Sequence, residues 1–407
     1  DGGQGIDTAT YADAGSGVTA ILDTTGTGLV NTGEAAGDTY VNMENLTGSE
    51  HDDILIGDAQ ANVLTGGSGS DKLVGRGNGD TLDGGGGTDT ASYEFANSAV
   101  TVSLTSGSGS QGEADGDVLT SIENLIGSSY NDTLTGAAGI QANAFDGRGG
   151  SDTVSYAPSA EGVTAVLDPV LLLTPVSQTN DAAGDTFTNI ENLTGSAYAD
   201  HLIGDNNNNI LTGGAGNDVL EGLGGADSFI GGSDSDTVSY ANSTLGVVSS
   251  LTGVFTAGPA VVQTNDANGD SYDSIENLTG SAENDTLIGD TGANRLEGGT
   301  GDDVLEGMSG ADTLLGGAGS DTASYAHATG YVKASLTAGL AGFSNEGDAA
   351  GDSYDSVENL VGSSFDDTLI GSSADNVITG GDGDDVLEGM AGADQLIGGN
   401  GSNTASY

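Results

Sequence analysis

One large apolar residue recurs at every ninth position in several stretches of the chain, among residues that are mostly Gly, Asp, Asn, Ser and Thr. In the first stretch these apolar positions are Leu55, Leu64, Leu73 and Leu82. From Gly48 the units read GSEHDDILI, GDAQANVLT, GGSGSDKLV, GRGNGDTLD and GGGGTDTAS, with no residue between them. A fixed short period of this kind indicates a repeat architecture with a narrow core rather than one large globular core.

The same phase returns in later parts of the chain. Five further units start at each of Gly195, Gly280 and Gly362. In the units from Gly195, position 8 is Leu202, Leu211, Leu220 and Phe229. A flexible Gly/Ser-rich linker has no reason to keep a fixed phase, so we reject that interpretation.

A longer repeat contains the nonapeptides. A marker Tyr that follows Ser or Thr ends each long repeat, and Glu-Asn-Leu precedes each block of units; the markers are Tyr11, Tyr93, Tyr156, Tyr240, Tyr325 and Tyr407, and the Glu residues are Glu44, Glu123, Glu191, Glu276 and Glu358. These positions predict the end of a preceding repeat at 1–11 and five repeats at 12–93, 94–156, 157–240, 241–325 and 326–407. Their nonapeptide blocks lie at 48–92, 127–155, 195–239, 280–324 and 362–406, and the second repeat is shortened.

Each marker Tyr is followed by a segment with a different pattern. An alternating strand starts seven residues later, as in Val18-Ala20-Leu22, which is typical of a half-buried strand. A loop of variable length then leads to a Gly-Asp pair, whose acidic members are Asp38, Asp117, Asp185, Asp270 and Asp352. The pair either belongs to this loop or ends a degenerate nonapeptide.

The units resemble the RTX, or hemolysin-type, calcium-binding repeat, whose pattern is Gly-Gly-x-Gly-x-Asp-x-U-x with U a large apolar residue. The resemblance covers roughly half of the chain. It implies an all-β fold, a parallel β-roll or β-solenoid in which six residues form a calcium-binding turn and three form a short strand. It also implies a bacterial protein that a type I system secretes and that folds outside the cell.

The residue types at each position fit this chemistry. Glycines at positions 1, 2 and 4 allow positive φ, and Asp at position 6 directs a carboxylate toward the same point as the curled carbonyls. Calcium binds six to eight such oxygens. Two units complete one coil, so we expect Asp53, Asp71 and Asp89 on one edge and Asn62 with Asp80 on the other.

The metal ligands that we predict are the position-6 aspartates, and no residue is assigned to catalysis or to another cofactor. They are Asp7, Asp53, Asp71, Asp80, Asp89, Asp132, Asp152, Asp200, Asp218, Asp227, Asp236, Asp285, Asp303, Asp312, Asp321, Asp367, Asp385 and Asp394. Asn takes this position at Asn62, Asn209, Asn294, Asn376 and Asn403, where we expect weaker or shared sites. The stretch GAAGIQANAFD of the second repeat lacks the Asp, so a site there is doubtful.

Charge decides how such a chain can fold. The 407 residues carry 61 acidic and five basic side chains, a formal net charge of −56, with no Cys. Self-repulsion of this size opposes compaction and disfavours nucleic acid as a partner. We therefore expect the chain to be unfolded without calcium and folded with at least about twelve ions, since binding to the folded state alone stabilises it.

Three functions compete at this stage, and none is enzymatic. The first is an extracellular stalk, fibre or surface-layer segment, with possible self-association. The second is a folding and secretion module of a larger secreted enzyme or toxin, and the third is an adhesin region. Carboxylate pairs such as Asp384-Asp385 recur in phase, whereas an active site would occur once.

His51, His201 and His327 share no spacing, so we expect lone surface histidines. The shared phase of both chain ends predicts an excerpt of a longer array, and no apolar run is long enough for membrane insertion.

Overall fold

The computed structural model describes residues 1–252 and 261–406; the marker Tyr407 lies outside these residues. The chain divides into two compact units, which are described separately. The first consists of Asp1–Pro169 and Val176–Leu202, and the second of Val170–Pro175 and Ile203–Tyr407. The five long repeats predicted from the sequence stay a prediction.

The regular elements are short strands, most of them three residues long. Up to residue 203 they are Thr8–Thr10, Thr19–Ile21, Asn45–Thr47, Ile54–Ile56, Val63–Gly69, Lys72–Val74, Thr81–Gly87, Thr90–Ser92, Thr101–Ser103, Ser108–Gln111, Val118–Thr120, Asn124–Ile126, Thr133–Thr135, Ala144–Asp146, Thr153–Ser155, Thr164–Val166, Thr186–Thr188, Asn192–Thr194 and His201–Ile203. From residue 210 they are Ile210–Ala215, Val219–Glu221, Ser228–Ser233, Thr237–Ser239, Val248–Ser250, Ser271–Asp273, Asn277–Thr279, Thr286–Ile288, Arg295–Thr300, Val304–Glu306, Thr313–Ala318, Thr322–Ser324, Lys333–Ser335, Ser353–Asp355, Asn359–Val361, Thr368–Ile370, Val377–Asp382, Val386–Glu388, Gln395–Asn400 and Thr404–Ser406.

Helical structure in these residues is limited to single 3₁₀ turns that precede the Gly-Asp pairs. The turns are Gly33–Ala35, Gly112–Ala114, Asn180–Ala182, Asn265–Ala267 and Gly347–Ala349. Over the same residues, no helix combines the length and apolarity that crossing a bilayer requires.

Parallel pairing follows the predicted 18-residue coil. In the first compact unit of the structure, Leu55 pairs with Leu73, and Leu64 pairs with Leu82. In the second compact unit, Leu296 pairs with Leu314 in the same way. Two nonapeptides therefore complete one coil, and the predicted parallel β-roll is confirmed.

The pairing also continues past the end of a nonapeptide block. Leu82 pairs in parallel with Leu119, which follows the Gly-Asp pair of the next long repeat. In the second compact unit, Leu314 pairs with Tyr354 at the equivalent place. Within each compact unit, the segment between two nonapeptide blocks therefore forms a further coil of the same solenoid.

The core is the stack of position-8 side chains. Leu55, Leu64, Leu73 and Leu82 have no exposed surface. Each strand contributes one such residue because neighbouring side chains of a strand point to opposite faces. Position 9 adds buried residues at some units, such as Ile56 and Val74, which cluster with Ile21. A core of one or two such side chains per nonapeptide is narrow, so bonds at the turns must contribute to holding the coils together.

The alternating strand after the marker Tyr is present as predicted, with Val18 and Ala20 buried. The variable segment after it takes two forms. In the second repeat it folds back as an antiparallel hairpin of Thr101–Ser103 with Ser108–Gln111. In the first repeat the return is a single antiparallel bridge between Thr19 and Thr32. Length variation is thus accommodated outside the coil.

Candidate calcium sites

The position-6 side chains form a ladder along each edge of the roll. The backbone N–H of Asp53 donates to Oδ1 of Asp71 (2.8 Å), and the N–H of Asp71 donates to Oδ1 of Asp89 (2.8 Å). On the other edge the N–H of Asn62 donates to Oδ1 of Asp80 (2.8 Å). The structure thus brings together the residues that the sequence placed on each edge, and it fixes one oxygen of each carboxylate.

The second oxygen of these carboxylates has no protein donor. Among the described residues, Oδ2 is buried without a hydrogen-bond partner in Asp7, Asp71, Asp80, Asp89, Asp152, Asp227, Asp236, Asp303, Asp312, Asp321 and Asp385. A buried unpaired carboxylate oxygen is strongly unfavourable, so these oxygens need a proton or a cation. Asp218 belongs to the same ladder, since its N–H donates to Oδ1 of Asp236 (2.8 Å).

A backbone carbonyl faces the same space as the unpaired carboxylate oxygen. A Cβ atom added to Gly66 would collide with Oδ2 of Asp71 and would lie 2.5 Å from the carbonyl oxygen of Gly84. At Gly298 the corresponding atoms are Oδ2 of Asp303 and the carbonyl oxygen of Gly316, the latter at 2.7 Å. Converging carboxylate and carbonyl oxygens are the ligands that calcium prefers.

Side chains alone do not form these sites. Within 1–252 and 261–406, no group of three or more His, Cys, Asp or Glu side chains is placed to hold a metal ion. The ladder supplies carboxylates one coil apart, and carbonyl oxygens of the turns must complete the set. This arrangement fits a large hard cation with flexible coordination better than it fits zinc.

The conformation of the glycines agrees with the prediction at two of three positions. Positions 2 and 4 have positive φ, as in Gly67 (+123°) and Gly69 (+117°). Position 1 does not, so the prediction of positive φ for Gly66 and its equivalents was wrong. Glycine is needed there because a side chain would fill the space between the carboxylate and carbonyl oxygens.

Burial raises the pKa of the ladder carboxyls. Burial, with smaller contributions from the charges of Asp53 and Asp89, raises the pKa of Asp71 to about 7. The pKa of Asp80 is raised to about 7, again mainly by burial, with contributions from Asp117 and Asp58. A charged carboxylate in these positions therefore requires a compensating cation.

The aspartates of the first unit in each block have a different environment. Oδ1 of Asp53 accepts the Val18 N–H (2.6 Å), and Oδ2 accepts the Ser49 N–H (2.5 Å). The same arrangement of a Val N–H and a position-2 Ser recurs at Asp132, Asp200, Asp285 and Asp367. Their role as ligands stays a prediction, and so does that of Asp394, whose Oδ1 accepts the Asn376 N–H (3.1 Å).

Two acidic residues outside the predicted set extend the ladders. The Asp89 N–H donates to Oε2 of Glu123 (2.8 Å), and the Asp80 N–H donates to Oδ1 of Asp117 (2.7 Å). The second oxygen of Asp117 accepts the hydroxyl hydrogen of Tyr93 (2.9 Å). The Gly-Asp pair therefore ends a degenerate nonapeptide. The phase of nine held the signal for Glu123, which lies nine residues before Asp132.

The amides at position 6 of the second unit point toward a carbonyl. Nδ2 of Asn62 donates to the carbonyl oxygen of Glu44 (2.7 Å), and Oδ1 accepts the Asp58 N–H (2.8 Å). In the second repeat Asn143, which the sequence analysis did not single out, donates to the Glu123 carbonyl in the same way (2.7 Å). The stretch GAAGIQANAFD thus keeps a ladder residue although it lacks the aspartate.

The histidines do not form one class. His327 is buried, and its ring atom Nδ1 lies 2.8 Å from Oε2 of Glu306. The backbone N–H of His327 donates to Oε1 of Glu306 (2.8 Å). The prediction of a lone surface histidine was wrong for this residue, because a buried acidic partner compensates its polarity. His51 is exposed and His201 is half-buried.

Comparison with known proteins agrees with the geometry of the turns. No curated protein matches the chain. A model of the RTX calcium-binding nonapeptide repeat (4 copies) matches residues 47–82, 56–91, 120–154, 185–220, 203–238, 271–296, 288–323, 354–385, 361–396 and 370–405. These matches cover more than half of the 407 residues and include all but the last residue of each of the four full blocks and of the shortened one. The chain is therefore a calcium-binding repeat protein and belongs to the RTX calcium-binding nonapeptide repeat family.

Proposed function

We propose that calcium ions bound between successive turns fold this chain outside the cell, and that the folded array is a structural stalk, fibre or surface-layer segment. Repeats of this family are typical of secreted proteins. The proposal assigns the protein no catalytic role. Calcium is its cofactor, and self-association into fibres or a surface layer is part of the proposal.

The unpaired Oδ2 atoms carry this proposal. In the blocks 48–92 and 280–324 they belong to the third, fourth and fifth units, at Asp71, Asp80 and Asp89 and at Asp303, Asp312 and Asp321; in the block 362–406 the third unit has one, at Asp385. Two like charges about 4 Å apart repel by roughly 1–4 kcal/mol, depending on the effective dielectric, and a divalent ion between them reverses that contribution. One ion at each of the eleven oxygens of this kind in the described residues, and one at the ladder residue Asp218, gives about twelve ions for the chain.

The structural role is supported by how the repeats join. Pairing of Leu82 with Leu119 and of Ala91 with Leu125 continues the coil from one long repeat into the next. Each added repeat therefore extends the array and brings the same ladder again. A protein that needs length and calcium-dependent rigidity gains both from such repetition.

Far-UV circular dichroism tests the first step. In EDTA we expect the spectrum of a disordered chain, and in millimolar calcium the spectrum of a β-rich one, with about twelve ions bound at saturation by equilibrium dialysis. Magnesium at the same concentration is the control, because it dehydrates reluctantly and demands near-ideal octahedral geometry. Identical spectra in EDTA and calcium would refute calcium-dependent folding.

Electron microscopy of the native protein tests the second step. Filaments or an ordered layer that disperse in EDTA would support the structural role. Dispersed particles attached to a catalytic domain would instead favour a folding and secretion module. Cell-surface labelling with an antibody against the repeats would test the extracellular location.

A further inference from the structure

We propose that the first coil of each block, meaning its first two units, is closed by protein hydrogen bonds and takes no calcium, and that Asn at position 6 of the second unit excludes the ion. In the first repeat this first coil is residues 48–65. The inference rests on the proposed function, since it concerns which of the coil steps bind calcium.

The amide has the same partner in each long repeat for which the contact is described. Nδ2 donates to the carbonyl oxygen of the Glu in Glu-Asn-Leu, one coil earlier. The pairs are Asn62 with Glu44 (2.7 Å), Asn143 with Glu123 (2.7 Å), Asn294 with Glu276 (2.8 Å) and Asn376 with Glu358 (2.7 Å). A contact kept through repeats of different length is a feature of the coil and not of one local sequence.

The oxygen that faces the turn has a protein donor at Asn62, whereas the equivalent Oδ2 of Asp71 has none. At Asp71 a carboxylate oxygen and the carbonyl oxygen of Gly84 converge, and two acceptors can be joined only by a cation or a proton. At Asn62 the amide oxygen and the carbonyl oxygen of Gly75 face the same space, but Oδ1 accepts the Asp58 N–H (2.8 Å), and the neutral amide has no charge that a cation would neutralise. The Asn62 N–H still donates to Oδ1 of Asp80, so the ladder itself is unbroken.

The turns of the first coil also differ in backbone conformation. Position 2 is Ser49 in the first unit and Asp58 in the second, and neither has positive φ, in contrast to Gly67 at +123° in the third unit. The N–H of Ser49 donates to Oδ2 of Asp53 (2.5 Å), and Oγ of Ser49 donates to Oδ1 of Asp53 (3.1 Å). Without positive φ at position 2, the N–H of this residue closes the turn on its own position-6 side chain; Arg76, at position 2 of the fourth unit, has φ +66°, and Oδ2 of Asp80 in that turn has no donor.

Ser occupies position 2 of the first unit in all five blocks, at Ser49, Ser128, Ser196, Ser281 and Ser363. In the described contacts each of these serines donates its N–H to the position-6 aspartate four residues later. Both turns of the first coil are therefore held without a metal. Such a step can fix the register of a block before the ions of the later units bind.

The test converts the amide into a carboxylate and counts ions. The double variant Asn62→Asp/Asn294→Asp should bind two more calcium ions per chain than the unchanged protein, measured by equilibrium dialysis with atomic emission detection. The matched control is Asn45→Asp/Asn277→Asp, which adds the same charge at amides whose Oδ1 atoms accept the Val63 and Arg295 N–H groups. The control should bind no additional ion.

An unchanged ion count in folded Asn62→Asp/Asn294→Asp would overturn the inference. If the unchanged protein binds no calcium, the proposed function fails first, so the two failures are distinguishable. If this variant does not fold at any calcium concentration, Ser49→Gly/Ser281→Gly decides. Glycine at position 2 permits the positive φ of the open turns and removes the Oγ donor, so these substitutions should free Asp53 and Asp285 and add two ions; an unchanged count there would equally overturn the inference.

Discussion

The backbone N–H of Asp303 donates a hydrogen bond to Oδ1 of Asp321, one coil further along the chain, at 2.9 Å. Asp303 in turn accepts the Asp285 N–H at its own Oδ1 (2.8 Å). Each ladder residue therefore orients the next carboxylate through its main chain. Oδ2 is left facing the turn, so the protein sets the direction of a ligand oxygen without contacting it.

Asp303→Asn should weaken calcium binding strongly. The change keeps an oxygen for the Asp285 N–H but removes one negative charge and places an NH₂ group at the proposed ligand position. A charge-assisted contact contributes about 1.5–3 kcal/mol, so we expect the calcium midpoint of folding to rise about tenfold or more and one ion to be lost. Calcium titrations followed by circular dichroism measure the midpoint.

Asp302→Asn is the matched control, because it removes the same charge from the neighbouring residue. Asp302 is exposed, and its Oδ1 accepts the Ser320 N–H (2.9 Å), which an amide oxygen can also do. Its calcium midpoint should stay close to that of the unchanged protein. Equal effects of the two substitutions would show that net charge, and not the ladder position, determines calcium affinity.

Gly66→Ala should disrupt one calcium site while leaving the rest of the roll intact. The added Cβ would lie 2.5 Å from the carbonyl oxygen of Gly84 and would collide with Oδ2 of Asp71. Overpacking of this kind costs about 1–3 kcal/mol, and here it also displaces two proposed ligand oxygens. Equilibrium dialysis should detect one ion fewer.

Gly86→Ala serves as the control for the loss of a glycine. A Cβ at Gly86 meets no atom within 4 Å, and the residue does not have positive φ. Its ion count and unfolding midpoint should therefore be unchanged. If Gly66→Ala bound as many ions as Gly86→Ala, the space over position 1 would not be a calcium site.

Local chemistry made the coil and its edges predictable from sequence. A Leu every ninth residue and an Asp two positions before it fixed the 18-residue register, which the pairing of Leu55 with Leu73 confirms. Position 1 was misjudged because a glycine can serve backbone conformation or close approach, and the two leave the same signature. Only the position of Gly84 relative to Gly66 distinguishes them.

The ends of the ladders were not predicted, because their partners lie far apart in the chain. Tyr93 and Asp117 are 24 residues apart and are separated by a loop of variable length, so no fixed spacing relates them to the ladder. Whether a Ser at position 2 would cap Asp53 depended on the sign of its φ, which the sequence did not reveal. Glu123 was accessible, since the nonapeptide phase extended by one unit places it at position 6.

Tyr93→Phe should destabilise the junction between the first and second repeats. Tyr93 is 3% exposed, and its hydroxyl is the donor to Oδ2 of Asp117, which is itself buried. Removing the donor leaves a buried carboxylate oxygen without a partner, at a cost of about 1.5–3 kcal/mol. Urea unfolding in saturating calcium measures the change.

Tyr130→Phe is the matched control. It removes a hydroxyl from a tyrosine that lies in the same compact unit but is 47% exposed. It should shift the urea midpoint little, because water replaces any contact that the hydroxyl loses. A Tyr93→Phe protein as stable as Tyr130→Phe would mean that Asp117 finds its second partner elsewhere, for example in a calcium ion.

Acid should partly substitute for calcium. In the calcium-free folded chain, burial raises the pKa of Asp71, Asp80 and Asp312 to about 7, whereas the ordinary value is 3.8. The folded state then binds more protons than the unfolded state between about pH 4 and pH 7, so its free energy of unfolding rises as pH falls. This stabilisation is complete below about pH 4 and is lost as pH rises through about 7. In EDTA we therefore expect more β-structure by circular dichroism at about pH 5 than at pH 8.

Protonation at pH 5 also lowers the general repulsion of a chain of net charge −56, so a sample in high NaCl at pH 8 is the necessary control. Salt screens surface charges but does not neutralise the buried Oδ2 atoms, so it should not restore the fold. Two results would contradict the assignment of those oxygens as the groups that calcium neutralises: a disordered spectrum at pH 5 in EDTA, and full folding in NaCl at pH 8.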